Sequence, residues 1–159
     1  MKKDLVRVAT RIHTELIDLE QVVSRCERAL AKSKTTSDDL YFDSIALNLE
    51  GFYSGLERLL RLIAATIDGQ VPQGSEWHKE LFDQMCYDVP GVRPAVFSEN
   101  ARSMLDEYRL RHVVRVVYTF TLEPQRLEEL TLALRPAYTI ARRELEAFAV
   151  LLEQRAKEK

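Results

Sequence analysis

The stretch Tyr108-Arg109-Leu110-Arg111-His112-Val113-Val114-Arg115-Val116-Val117-Tyr118-Thr119-Phe120 concentrates three arginines and a histidine without one acidic residue. Tyr108, Arg111, Arg115 and Tyr118 follow steps of three, four and three, so on a helix they share one face. Leu110, Val113, Val114 and Val117 fall away from that face and suit a core. Such a stripe fits a phosphodiester. Arginine offers a rigid fork of donors that binds phosphate oxygens in pairs. Tyrosine stacks on a base or donates to a phosphate. Histidine moves protons near neutral pH. The same residues also admit a purely structural reading, in which the arginines pair with acids of neighbouring helices and the tyrosines fill gaps.

The elements that must hold this stripe are helical. Leu5, Val8, Ile12, Leu16, Leu19, Val23, Cys26 and Leu30 recur at steps of three or four, which predicts a long amphipathic helix over 4–32. A second helix is expected over 38–68, with Ser37 as its cap, Asp38 and Asp39 at its start and Gly69 as its stop. Gly51 and Gly55 lie inside it on one face and imply close approach of another helix. Ser75 is placed to cap a short helix carrying Trp77, Leu81 and Met85; Tyr87 to Phe97, with two prolines and a glycine, reads as a surface loop. Ser98 can cap a helix over 99–120 that carries the stripe. Pro124 suits the first turn of a last helix over 124–155, which Pro136 should kink or divide. No strand pattern or repeat is present. The expectation is an all-α domain over 1–155, an antiparallel bundle of four to five main helices with a frayed tail at 156–159.

Composition narrows the function classes. With a net charge of −2 the chain is no general nucleic-acid coat, although a local basic site is compatible with it. Cys26 and Cys86 have neither metal nor redox spacing and read as small buried thiols in a reducing compartment. No run spans a bilayer and the start is already helical, so the cytoplasm is the expected location. No P-loop, glycine-rich phosphate cradle, nucleophile elbow or zinc spacing occurs, and no metal or cofactor is expected. Asp38, Asp39 and Asp43 are covered by cap and surface roles. His78 beside Trp77 reads as a packing residue of its short helix, and His13 as solvated or at an interface.

The arrangement Arg111-His112 followed by Tyr118 resembles the ribonuclease motif of HEPN-fold proteins of the HepT type. Further segments resemble a HepT-like branch: Ser37-Asp38-Asp39, Ala46 to Glu57, Gly74 to Leu81, Arg93-Pro94-Ala95-Val96, and Arg111-His112-Val113-Val114-Arg115. The resemblance implies a small helical bundle that forms a homodimer, with two copies of the motif facing one cleft. It implies the toxin of a toxin–antitoxin pair, cutting RNA, tRNA included, without a metal. Its implied partner is a minimal nucleotidyltransferase antitoxin that silences the toxin by adding AMP to the motif tyrosine. Carried onto this chain, Arg111 stabilises the phosphorane and Tyr118 is the modified residue; Arg115 and Tyr108, on the same helix face, are the residues expected to contact RNA. The chain departs from the pattern at Val116, which stands where the motif histidine belongs. His112 is then the candidate acid–base group. The second reading is a non-catalytic module that keeps the cleft for RNA or nucleotide and serves the nucleotidyltransferase.

Overall fold

The computed structural model describes residues 1–109 and 123–158, the side chains of 107–109 excepted. They form five helices: α1 (Lys2–Thr35), α2 (Leu40–Ile63), α3 (Trp77–Met85), α4 (Glu99–Arg109) and α5 (Pro124–Lys157). Among the described residues no helix is long and apolar enough to cross a membrane. The one β feature described is a single antiparallel bridge between Val89 and Arg93. The architecture is the all-α bundle that the apolar periodicity predicts.

α1 is the central rod. Its 34 residues extend about 50 Å at the helical rise. It packs against both α5 and α2, and it runs antiparallel to each. Along α5, Lys34 meets Glu128, Arg135 meets Glu27, the Tyr138 hydroxyl donates to the Leu16 carbonyl (2.8 Å), and His13 meets Glu153 (2.8 Å). Along α2, Arg58 meets Glu15 (3.0 Å), and Cys26 lies across from Ile45. Ile12, Val23, Cys26, Ile45, Phe52, Leu60, Ile63, Leu134, Leu145 and Leu152 are wholly inaccessible between these three helices. Burial of this kind stabilises by about 1.5–3 kcal/mol per large aliphatic side chain.

Several details differ from expectation, each for a local reason. α2 begins at Leu40, whose amide donates to the Asp38 carboxylate (3.0 Å), so Asp38 and not Ser37 satisfies the first free N–H. Its last turn widens into a π-turn over Ala64–Asp68, closed by Gly69 at φ +75°, a left-handed conformation that glycine adopts without penalty. α3 starts at Trp77 with Glu76 before it, and no side chain, Ser75 included, caps it. Pro136 does not divide α5. Proline and its neighbour Leu132 face outward, which leaves the carbonyl that proline cannot bond on the exposed side of the helix. The expected tail is helical to Lys157, and the Arg155 guanidinium donates to the Val92 carbonyl. The loop after α3 is not confined to the surface: Arg93, Val96 and Phe97 are buried, and the amides of Val96 and Phe97 both donate to the Met85 carbonyl.

The two helical glycines separate. Gly51 is exposed, and no described residue comes within 4 Å of an added Cβ, so no described helix approaches there. At Gly55 an added Cβ would stand 2.9 Å from Glu15 Oε1 and 3.1 Å from Leu19 Cδ2, tighter than ordinary contact. Gly55 is what lets α1 come close enough for Glu15 to be buried between the helices.

Candidate functional site

Arg111, His112, Arg115 and Tyr118, together with Val116, lie outside the described residues, as does the expected course of that helix beyond Arg109. Tyr108 falls in the last described turn of α4. What the structure settles is how the chain is delivered to and collected from this stretch.

Delivery is through α4, which is clamped at its start. The Ser98 hydroxyl accepts the Ala101 amide (3.1 Å), the N-cap expected of it. The same hydroxyl and the Ser98 amide donate to the two oxygens of Glu144 on α5 (2.8 and 2.6 Å). Arg102 pairs with Asp83 on α3, and Ala101 and Leu105 are fully buried. Collection is through α5, with Pro124 in its first turn and Leu127 and Leu130 in the core. Arg135 holds α5 to α1 by Glu27 and Glu20 at 2.6 Å each, and these two hydrogen bonds raise its pKa above the ordinary arginine value.

A second polar cluster surrounds the π-turn. Asp68 and Arg93 form a fork-to-fork pair, Nε to Oδ1 and Nη2 to Oδ2, both at 2.6 Å, with the Arg93 side chain wholly inaccessible. Nη1 donates to the carbonyls of Tyr87 and Pro94 (3.1 Å each), and Nη2 also to that of Gln84 (3.1 Å). All five donors of the guanidinium are therefore used. Gln84 completes the cluster through Asp68 Oδ2 (2.7 Å) and the Gln70 carbonyl (3.0 Å). Arg93 is saturated from within and serves the fold.

A third cluster joins two segments that lie 21 residues apart in the sequence. His78 Nδ1 sits 2.5 Å from Glu57 Oε2, and Glu57 is buried. The Trp77 and His78 rings lie 3.5 Å apart, and the Arg61 guanidinium covers Trp77 at 4.8 Å. Glu57 thus fixes the orientation of the imidazole by one of its nitrogens. His13 is half-exposed on Glu153.

The thiols differ in burial. Cys26 is inaccessible, and desolvation, with Glu27 adding to it, pushes its pKa up to about 12. Cys86 is half-buried, and desolvation raises it to about 11 despite the opposing Arg102. Both are protonated and unreactive near neutral pH. No group of three or more His, Cys, Asp or Glu suited to a metal ion occurs among the described residues.

One further constellation carries no motif in the sequence. Arg25, Arg28 and Lys32, at steps of three and four on α1, line a cavity of about 470 Å³ with Ala29, Asp38, Leu40, Tyr41 and Ser44. The spacing was visible, but it coincides with that of any solvated helix face. Only the fold shows that α2 turns back to wall it.

The model of the HepT-like protein family matches residues 44–152. The chain belongs to the HepT-like family. The match covers well over half of the sequence and runs through Arg111, His112, Arg115 and Tyr118. No curated protein and no solved structure matches the chain. For a HepT-like HEPN protein the helical bundle is the expected scaffold, and α4 and α5 flank the Arg–Tyr stretch in sequence.

Proposed function

We propose that this HepT-like protein is the toxin of a toxin–antitoxin pair, a cytoplasmic, metal-independent endoribonuclease acting on RNA, with tRNA as the first substrate to test. The observation that supports this most is the family match running through Arg111-His112-Val113-Val114-Arg115 and on to Tyr118 in a stretch free of acids. Within this reading two protomers present their Arg–Tyr stripes to one cleft. The 2′-hydroxyl of a ribose attacks its adjacent phosphorus, the 5′-oxygen of the next nucleotide leaves, and a cyclic phosphate remains. Arg111 stabilises charge on the pentacoordinate phosphorus, His112 transfers the proton, and Arg115 and Tyr108 hold the RNA. Tyr118 contacts RNA or, in the silenced state, carries AMP delivered by a minimal nucleotidyltransferase.

Val116 supports a second reading. Valine neither transfers a proton nor donates to phosphate, so a module that binds RNA or nucleotide without cutting it is the competing account. The two part on expression in cells. A toxin arrests growth when expressed alone and is relieved by the co-expressed nucleotidyltransferase, with a mass increase of one adenylyl group that Tyr118→Phe abolishes. A binding module leaves growth unchanged in both cases.

A further inference from the structure

We propose that the corner between α1 and α2 is a second RNA-contacting surface, a phosphodiester site formed by Arg25, Arg28 and Lys32 with Tyr41 and Ser44. It rests on the reading of the protein as RNA-acting, and it assigns part of substrate binding to a place remote in sequence from Arg111.

The charge pattern carries the inference. The chain has 23 Lys and Arg against 25 Asp and Glu. Around the bundle the arginines are mostly spent on carboxylates: Arg7 on Asp4, Arg11 and Arg58 on Glu15, Arg93 on Asp68, Arg102 on Asp83, Arg135 on Glu20 and Glu27, and Arg142 on Glu146. Arg25, Arg28 and Lys32 are exposed and make no ion pair among the described residues. They share one cavity, where Asp38 is the one acid among the described lining residues. That carboxylate is engaged, accepting the Leu40 amide at 3.0 Å.

The rest of the lining suits a nucleic-acid strand. Tyr41 offers a half-buried ring, and Ser44 a hydroxyl. Two guanidinium forks and an ammonium, spread over about 10 Å of helix, match a run of phosphates better than a lone anion. An aromatic ring among them is the combination that binds single strands without regard to sequence.

Position supports it as well. Lys34, two residues beyond Lys32, pairs with Glu128, and Glu128 lies one turn into α5 from Pro124. The basic corner is therefore at the end of the bundle where the chain enters α5 after the Arg111–Tyr118 stretch.

The test uses the full chain and a fluorescein-labelled 2′-O-methyl oligoribonucleotide of mixed sequence, which cannot be cut by its own 2′-oxygen. Anisotropy titrations over a salt series compare wild type, Arg25→Ala/Arg28→Ala/Lys32→Ala, and a charge-matched control, Lys3→Ala/Lys79→Ala/Arg143→Ala. The site variant is expected to bind on the order of tenfold or more weakly. Its log–log salt slope should fall by about 2, since each phosphate contact on a single strand contributes about 0.7. The control should stay within about twofold of wild type. Circular dichroism melts check folding, and single Arg28→Glu should weaken binding in the same direction. Equal losses in both triple variants, or a site variant that binds as wild type does, overturn this inference alone. A wild-type protein that binds no RNA overturns the RNA reading of the protein and this inference with it.

Discussion

Arg93 and Arg28 carry the same guanidinium into opposite surroundings. Arg93 sits at zero exposure, its five donors divided between Asp68 and three backbone carbonyls. Arg28 stands at the mouth of a cavity beside two other cations, with no carboxylate on it among the described residues. An arginine whose donors are exhausted inside the fold has nothing left for a ligand; it orders the chain around itself. An arginine with free donors, walled by a second helix, contributes little to folding and is available to phosphate. The difference lies in the partners and not in the residue type, so composition and spacing alone do not separate the two roles.

The sharpest way to break this comparison is to remove Arg93. Arg93→Ala leaves the Asp68 carboxylate buried without its cation and should cost about 3–5 kcal/mol in urea unfolding. Arg93→Lys should recover only part of that, because one ammonium cannot replace the five-donor fork. A loss below about 1 kcal/mol would show that the pair is not the buried tie described. The next effect is smaller and tests the other saturated carboxylate, Glu15. Gly55→Ala drives a methyl against Glu15 and Leu19 and should destabilise by about 1–3 kcal/mol. Gly51→Ala meets nothing and should stabilise by up to about 1 kcal/mol through helix propensity. Equal responses at the two glycines would remove the close approach of α1 and α2 at Gly55. The smallest effect belongs to the open arginines: Arg25→Ala/Arg28→Ala should leave the melting temperature unchanged, and a large drop would mean that these side chains hold the fold after all.

Much of the fold is legible in the sequence because apolar residues at helical spacing admit few other arrangements. The stripe from Val8 to Leu30 and the one from Ile45 to Ile63 are the buried faces of α1 and α2. Ser98 and Pro124 do what their chemistry suggests at helix starts, and Gly69 does so at a stop. What escapes are features decided by contacts distant in sequence. Nothing near Arg93 announces that Asp68 will receive it. His78 and Glu57 are 21 residues apart, and only the crossing of α3 over α2 joins them. Pro136 warns of a break that the ties of Arg135 and Tyr138 to α1 hold together. At the candidate site the family can be read directly, and its match spans Arg111 to Tyr118. The basic corner cannot, because its wall is supplied by a different helix.

The central claim is that Arg111 acts on the phosphodiester of RNA, and cleavage of a tRNA pool in excess EDTA by matched preparations of wild type and Arg111→Ala tests it most directly. The account predicts cyclic-phosphate ends from the wild type and a rate lower by on the order of 10²-fold or more in the variant, as expected for loss of a charge-assisted contact at a site of developing charge. Equal cleavage by both proteins, or none by a wild type that nevertheless binds the RNA, would contradict it.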